Sequence, residues 1–172
     1  TADVLAAVPS VDVWGMNVYR WDQSHTAIAD FAALSDKPCY LSEAGADSYN
    51  AAPDHATYAF GLNEQMQADA VETILTSVLG TLEVASGVAL FEFSDEWWKA
   101  GDPASQDAGG AAPYSSGVPY DGAPNEEYWG LVGVDRTPKL SLGVVAAAYT
   151  GPLCLVAADA GPDQVLPVGA TS

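Results

Sequence analysis

The chain has 172 residues, of which 49% are hydrophobic, and this proportion is enough for one compact domain with a substantial core. Its formal net charge is -18, because 23 Asp and Glu residues stand against only 5 Lys and Arg residues. That charge makes nucleic acid and anionic membrane surfaces unfavourable partners, whereas a neutral ligand such as a glycan is not repelled.

The first segment, "TADVLAAVPS", reads as the end of a helix, and the chain starts at Thr1 without a methionine. We therefore expect a piece of a longer protein. Nothing in the sequence resembles a signal peptide, and no apolar run reaches the ~18 residues that a transmembrane helix needs.

Three apolar runs predict strands at residues 11–19, 37–43 and 86–94. Each run is continuous rather than alternating, which is typical of strands buried on both faces. Helical patterns separate the runs, and Asn63 is the predicted N-cap of the second helix. The order βαβαβ predicts a parallel sheet, because parallel neighbours need crossover connections. The apolar stripe of the second helix comprises Met66, Ala70, Val71, Ile74, Leu75, Val78 and Leu82.

A long polar stretch at residues 95–136 follows the third strand, and its length favours a functional lid. Residues 137–149 then predict a closing helix, with Thr137 as N-cap and Pro138 at its first position. The last segment, 151–172, changes to short apolar pairs between Pro and Gly and reads as a linker. Aromatic residues of the polar stretch include Tyr114, Tyr120, Tyr128 and Trp129.

The predicted strands all end in polar, acidic and aromatic residues, and the carboxyl ends of parallel strands are where α/β folds place their sites. Carboxylates and Asn side chains bind hydroxyl groups, and a Trp face stacks on the apolar side of a pyranose, so the mix indicates a sugar site. Glu43 is the strongest candidate, because it leaves a buried strand whose backbone holds it rigidly. The residues at these ends are Asn17, Tyr19, Arg20, Ser42, Glu43, Gly45, Glu92, Ser94, Asp95, Glu96, Trp97 and Trp98.

The sequence gives less support to a calcium site, a serine hydrolase triad or a cysteine metal site. Asp95 and Glu96, with the aspartates after them, do not have the spacing of an EF-hand calcium loop. Ser42 has no histidine in a plausible triad relation. Cys39 and Cys154 form no metal-ligand pattern, and Cys39 is expected to be a buried thiol. We expect neither a metal nor another cofactor.

Four segments together resemble strands six, seven and eight and the final helix of the clan A glycoside hydrolases. The segments are "VDVWGMNVY", "KPCYLSEAGADSY", "GVALFEFSDEWWKAG" and "EEYWGLVGVDRTPKLSLGVVAAAY". The resemblance is nearest to the family 2 type barrel and the β-1,3-glucanosyltransferases, which are retaining enzymes on a (β/α)8 barrel. It implies an α/β fold, the C-terminal portion of a TIM barrel with parallel strands and a long loop after the last strand.

The resemblance also implies roles for individual residues. Glu43 matches the nucleophile, Tyr19 the tyrosine that hydrogen-bonds it, and Trp98 or Trp97 the aromatic platform under the sugar. Asn17 and Glu92 match supporting polar groups, and Asp95 and Glu96 are further substrate-binding candidates. The acid/base glutamate of the clan follows an asparagine at the end of strand four. We expect it to be missing here, since Asn63-Glu64 and Asn125-Glu126 do not lie at a strand end.

The predicted organisation is therefore a partial barrel over residues 1–150 and a linker over 151–172. "ADAGPDQVLPVGAT" resembles the start of a PKD-type repeat, which implies a secreted, extracellular parent that acts on polysaccharide or oligosaccharide. A partial barrel leaves strand edges open, so self-association through these edges is expected. Two alternatives remain: a structural half-barrel without ligand, and a non-catalytic carbohydrate-binding module that uses Trp97, Trp98 and Trp129.

Overall fold

The computed structural model describes residues 2–110 and 121–150. Within these ranges no helix is long and apolar enough to cross a membrane. Helices and strands alternate along the chain, and the first segment is a helix, as expected. The elements are α1 (Ala2–Ala7), β1 (Trp14–Asn17), α2 (Thr26–Ala32), β2 (Cys39–Ala44), β3 (Tyr49–Asn50), β4 (Gly61–Leu62), α3 (Glu64–Leu79), β5 (Ala85–Leu90) and α4 (Leu140–Thr150).

The main sheet has 3 strands in the order β1-β2-β5, and both pairings are parallel. This confirms the predicted α/β alternation with parallel strands. All three strands are shorter than the apolar runs that predicted them, and β5 ends at Leu90 rather than at residue 94. In the described chain β1 and β5 each pair with β2 alone, so self-association through their free edges stays a prediction.

One face of the sheet packs against α2 and α3 and forms the core. Cys39 and Leu41 of β2 are fully buried there, and burial raises the pKa of the Cys39 thiol. On the opposite face Tyr40 is 38% exposed, and β1 alternates between half-buried and exposed residues. The prediction that the strands are buried on both faces is therefore wrong for this chain. The core residues are Ile28, Phe31, Cys39, Leu41, Ala44, Ile74, Val78 and Ala85.

Helix α3 begins as its sequence predicts. The Asn63 side-chain oxygen accepts a hydrogen bond from the Met66 backbone N–H at 3.0 Å, which satisfies one of the free donors of the first turn. The predicted stripe is buried from Met66 to Val78. The sequence predicts that Leu82 belongs to the same stripe, but this is wrong, because the helix ends at Leu79 and Leu82 is 44% exposed.

Helix α4 begins later than predicted. Thr137 is not its N-cap, because the Thr137 hydroxyl donates to Asp135 at 2.8 Å and the helix starts at Leu140. The backbone N–H of Leu140 instead donates to Oε2 of Glu64 at 3.0 Å. A carboxylate from α3 thus satisfies one of the free N–H donors at the start of α4. The short antiparallel pair β3-β4 was not predicted at all.

Buried polar side chains anchor the stretch between β5 and α4. The amide of Gln67 donates to three backbone carbonyls, those of Ala46, Trp129 and Gly130. Both carboxylate oxygens of Glu127 accept backbone N–H groups from the same stretch. Residues 125–132 of this stretch are thus part of the packed interior, whereas residues 101–105 are exposed, and a lid formed by the rest of the stretch stays a prediction.

The four aromatic residues predicted for the lid fall into two groups. Tyr128 and Trp129 are only 8% and 6% exposed. Tyr114 and Tyr120 lie outside the described residues, as do Cys154 and the predicted linker and PKD-like segment at 151–172.

Asp47 lies fully buried in this interior. Its Oδ2 accepts a hydrogen bond from the Asn125 amide at 2.7 Å, whereas its Oδ1 has no hydrogen-bond partner in the part of the chain that the structure describes. Burial raises the pKa of Asp47 well above its usual value, although the Asn125 bond lowers it. The folded state therefore holds a proton on Asp47 at pH values where the unfolded chain does not.

We predict that the free energy of unfolding falls as the pH rises from about 4 toward the raised pKa of Asp47, because the unfolded chain then releases this proton more readily than the folded state. Asp47→Asn removes the titrating group, so the variant should unfold at higher urea concentration than the wild type at pH 8 and lose part of the pH dependence. Urea unfolding at pH 4.5 and pH 8 measures this. Asp54→Asn, at an exposed position in the same segment, is the control, and equal pH dependence in all three proteins would contradict the prediction.

Candidate active site

Glu43 and Tyr19 meet at the carboxyl end of the sheet. Strand β2 carries Glu43 near its last residue, and the chain just after β1 carries Tyr19. The Tyr19 hydroxyl donates to Oε2 of Glu43 at 2.7 Å, and the Val18 backbone N–H donates to the Glu43 carbonyl at 2.8 Å. The hydrogen bond expected from the resemblance is therefore present, and the two residues that follow β1 bind both the backbone and the side chain of Glu43.

Tyr19 is a permanent donor in this pair. Burial raises the pKa of Tyr19, and the hydrogen bond to Glu43 raises it further, because an ionised phenol beside a carboxylate is unfavourable. The phenol therefore keeps its proton throughout the neutral range and orients one oxygen of Glu43. The residues that the structure describes provide no hydrogen-bond partner for the other oxygen of this half-buried carboxylate.

Two further rings pack around Tyr19. Its ring meets the Trp129 ring edge-on at 5.2 Å between centroids and the Phe91 ring at 6.0 Å. The backbone of Phe91 approaches the end of β2 closely, since its N–H donates to the Ala44 carbonyl at 2.9 Å. A Cβ on Gly45 would lie 2.1 Å from the Phe91 carbonyl oxygen, so only glycine fits after Ala44. This close approach explains the glycine that follows Ser42 and Glu43 in the sequence.

Lys99 gathers three carboxylates next to these rings. Its Nζ lies 3.6 Å from Glu92, 3.5 Å from Glu96 and 3.5 Å from Glu126. It also stands 3.9 Å above the centre of the Phe91 ring. These separations are longer than hydrogen bonds, and the buried atoms Lys99 Nζ and Glu92 Oε1 have no hydrogen-bond partner among residues 2–110 and 121–150.

Glu92 titrates abnormally in this cluster. Burial raises the pKa of Glu92 to about 8, with Lys99 lowering it and Glu96 raising it. Near neutral pH this side chain is therefore largely protonated.

The remaining predicted site residues lie in three different surroundings. Asn17 is exposed at the end of β1, and its side-chain oxygen accepts a hydrogen bond from the Ser42 hydroxyl at 2.7 Å. Asp95 is buried, and Lys139, Gly130 and Gln106 donate to its two oxygens, which favours a structural role. Trp97 and Trp98 are 43% and 57% exposed.

Sequence reasoning missed the Phe91 ring beside Tyr19 and the Lys99 ammonium above that ring. Phe91 and Trp129 pack on Tyr19, whereas the aromatic platform was expected from Trp97 or Trp98. The reason is the end of β5, which lies at Leu90, so that Phe91 is the first residue beyond the strand. The sequence could have indicated Lys99 as a site residue, because it is one of only 5 basic residues and follows two tryptophans after a strand end.

The Tyr19–Glu43 hydrogen bond gives a direct prediction for a longer protein that has the glycosidase activity implied by the sequence resemblance. Tyr19→Phe removes the hydroxyl but keeps the ring that packs on Phe91 and Trp129. We expect kcat to fall about 10-fold to 100-fold with little change in KM, because a charge-assisted hydrogen bond is worth roughly 1.5–3 kcal/mol. Steady-state kinetics on an aryl β-glycoside measures it. Tyr58→Phe, which removes a hydroxyl that donates to Asp69 of α3 at 2.8 Å, is the matched control, and a wild-type kcat for Tyr19→Phe would contradict the prediction.

The described fold is similar to part of several solved glycosidases. One is a GH2 β-galacturonidase from Eisenbergiella tayi bound to galacturonate, with TM-score 0.51, 19% identity, and coverage of 80% of this chain and 23% of that chain. Another is a Bifidobacterium dentium β-glucuronidase complexed with coumarin-3-O-glucuronide, with TM-score 0.51, 21% identity, and coverage of 83% and 21%. A third is a β-D-glucuronidase of Dictyoglomus thermophilum, with TM-score 0.50, 20% identity, and coverage of 83% and 23%.

The chain thus spans less than a quarter of the length of these structures. At such identities the likeness shows a shared fold. No family model matches the sequence, and no curated protein matches it.

Proposed function

We propose that this chain is part of a retaining β-glycosidase or transglycosidase that acts on oligosaccharide or polysaccharide, with Glu43 as its nucleophile. The observation that carries the proposal is the carboxylate of Glu43 at the end of the central parallel strand, held by the Tyr19 hydroxyl at 2.7 Å. A half-buried carboxylate with one oxygen fixed and the other open is suited to attack on an anomeric carbon.

The architecture supports this role. Three parallel strands joined by helices fit strands six to eight of a (β/α)8 barrel, and such barrels carry their catalytic residues at the carboxyl ends of strands. The similar structures are named as glycosidases that act on or bind glucuronides and galacturonides, and these names favour a β-glycoside as the substrate class of a longer protein.

The mechanism needs a second carboxyl group, about 5–5.5 Å from the first, to protonate the leaving oxygen. Glu64 belongs to an Asn-Glu pair but is exposed, and it is bound to the backbone of Leu140. Glu126 belongs to the other pair and faces Lys99. We therefore assign the acid/base group to the part of the barrel outside this chain.

In the first step the Glu43 carboxylate bonds to the anomeric carbon and the bond to the leaving oxygen breaks, with the proton supplied by the second carboxyl. In the next step water, or the hydroxyl of an acceptor sugar, releases the glycosyl group from Glu43 and gives its proton back to that carboxyl. The work of this chain is to deliver and orient Glu43. Tyr19 holds one carboxylate oxygen of Glu43. Asn17 is exposed at the end of β1, where it is available for contact with sugar hydroxyls.

The alternative of a non-catalytic carbohydrate-binding module has weaker support. Trp97 and Trp98 are exposed and available for stacking, but Trp129 is buried and its indole N–H donates to the Pro124 carbonyl at 2.8 Å. A secreted parent remains part of the proposal and rests on the PKD-like sequence alone.

Hydrolysis of aryl β-glycosides by this chain and by a longer protein that includes a full barrel tests the proposal. We expect turnover by the longer protein and none by the 172 residues alone, since these hold the attacking carboxylate without its acid partner. Turnover by the short chain that Glu43→Gln abolishes would overturn the assignment of the acid/base group. Binding of glycan by the longer protein without any turnover would favour the binding module.

A further inference from the structure

The turn that carries Tyr19 is fastened by the hydroxyl of Ser24. This residue is fully buried, and its hydroxyl oxygen lies 3.1 Å from the Val18 carbonyl oxygen and 3.0 Å from the Trp21 carbonyl oxygen. The same oxygen accepts the backbone N–H of Arg20 at 3.4 Å. A serine hydroxyl has one proton and two lone pairs, so it can donate to one of these carbonyls while it accepts the N–H. Ser24 therefore binds the backbone on both sides of Tyr19.

The ring of Tyr19 is held by Trp129, which comes from the stretch before α4. The two rings meet edge-on at 5.2 Å between centroids. Trp129 is itself fixed, because its indole N–H donates to the Pro124 carbonyl at 2.8 Å and its own carbonyl accepts the Glu92 backbone N–H at 3.2 Å. A Cβ on Gly45 would lie 3.4 Å from the same indole, so the indole also packs against the chain just after β2. Trp129 thus fills the space between Tyr19 and the end of β2.

The position of the Tyr19 hydroxyl matters because it fixes one oxygen of Glu43 at 2.7 Å. A hydrogen bond of this length tolerates only a small displacement, and catalytic groups need to be held within about 0.5 Å of their productive positions. A shift of the turn after β1, or a rotation of the Tyr19 ring, would exceed this tolerance. The orientation of Glu43 therefore depends on whatever holds the turn and the ring.

We infer that Ser24 and Trp129 are positioning residues for the proposed reaction, and that they act on Glu43 through the Tyr19 hydroxyl. Ser24 sets the backbone of the turn, and Trp129 sets the direction of the ring. The inference rests on the proposed function and assigns the residues that support its nucleophile. Because both act through Tyr19, their loss should lower kcat and leave KM nearly unchanged.

A double-mutant cycle with Tyr19→Phe tests the inference in the longer protein, with kcat and KM for an aryl β-glycoside as the measured quantities. In the wild-type background Ser24→Ala should lower kcat about 3-fold to 10-fold and Trp129→Leu about 10-fold. In the Tyr19→Phe background each should lower kcat by less than about twofold, because the hydroxyl that they position is then absent. A purely structural role would give the same loss in both backgrounds.

Two variants with the same chemical change serve as matched controls. Ser141→Ala removes a fully buried hydroxyl that donates to Gln67 at 2.9 Å. Trp14→Leu removes an indole that packs on Phe31 at the start of β1, at the opposite end of that strand from Tyr19. Both should keep kcat within about twofold of the wild type, since neither contacts the turn or the ring of Tyr19. Urea unfolding shows whether each variant is folded under the assay conditions.

Covalent labelling of Glu43 by a 2-deoxy-2-fluoro β-glycoside separates this inference from the proposed function. If Glu43 takes the label, equal losses of kcat in the two backgrounds, or a wild-type kcat for both Ser24→Ala and Trp129→Leu, would overturn the inference and leave the proposed function standing. No turnover of any aryl β-glycoside by the longer protein, together with no label on Glu43, would overturn both.

Discussion

Replacing Glu43 by Gln in the longer protein is expected to lower kcat/KM for an aryl β-glycoside by at least about a thousandfold. Gln has the size of Glu and can still accept the hydrogen bond from Tyr19, so the fold around it should be unchanged. What is lost is the charge and the nucleophilic oxygen. Steady-state kinetics measures the loss, and circular dichroism verifies that the variant is folded.

The matched control for this variant is Glu83→Gln. It removes the same charge from an exposed position before β5 and should keep wild-type kinetics. Added azide or formate should restore part of the turnover of Glu43→Ala on an activated substrate, because the shortened side chain leaves room for a small anion in place of the missing carboxylate. A variant that keeps more than a tenth of wild-type activity would show that Glu43 is not the nucleophile.

Replacing Lys139 by Met should lower the free energy of unfolding by about 3–5 kcal/mol, the usual cost of leaving one partner of a buried ion pair alone. Nζ of Lys139 donates to Asp95 at 2.6 Å, to the Ser48 hydroxyl at 2.9 Å and to the Tyr128 carbonyl at 3.2 Å. The two charged side chains are only 7% and 4% exposed. Burial lowers the pKa of Lys139 and the Asp95 carboxylate raises it, so the pair depends on both partners.

Urea unfolding followed by tryptophan fluorescence measures this effect. Asp30→Asn breaks the exposed pair with Arg20 and should cost no more than about 1 kcal/mol. The double variant Asp95→Asn, Lys139→Met should recover part of the loss, because no buried charge is then left alone. If Lys139→Met were no more costly than Asp30→Asn, the buried pair would not be anchoring the stretch before α4.

The periodic parts of the fold followed from the sequence. Apolar runs separated by helical stripes indicated the parallel sheet, and Asn63 indicated the start of α3. These signals depend on local spacing in the sequence. Strand ends and the start of α4 did not follow. They depend on distant partners, such as the Glu64 carboxylate that binds the Leu140 N–H. The burial of both sheet faces was overestimated, because an apolar run does not say whether other elements cover it.

The site was predictable where one residue extends directly from a strand. Glu43 lies near the end of β2 and Tyr19 follows β1, and their hydrogen bond is present. Phe91 and Lys99 were missed, since the end of β5 was placed four residues too late, at 94 in place of Leu90. Asp95 looked like a ligand group in sequence, but only the fold shows that Lys139 binds it from 44 residues away.

The central claim is that Glu43 forms a covalent bond with a sugar, and labelling tests it most directly. The longer protein is incubated with a 2-deoxy-2-fluoro β-glycoside that carries a good leaving group, digested, and examined by peptide mass spectrometry. The account predicts one fluoroglycosyl group on the peptide that contains "YLSEAGADSY", attached at Glu43 and absent from Glu43→Gln. A label on another carboxylate, or turnover of the reagent without any label on Glu43, would contradict it.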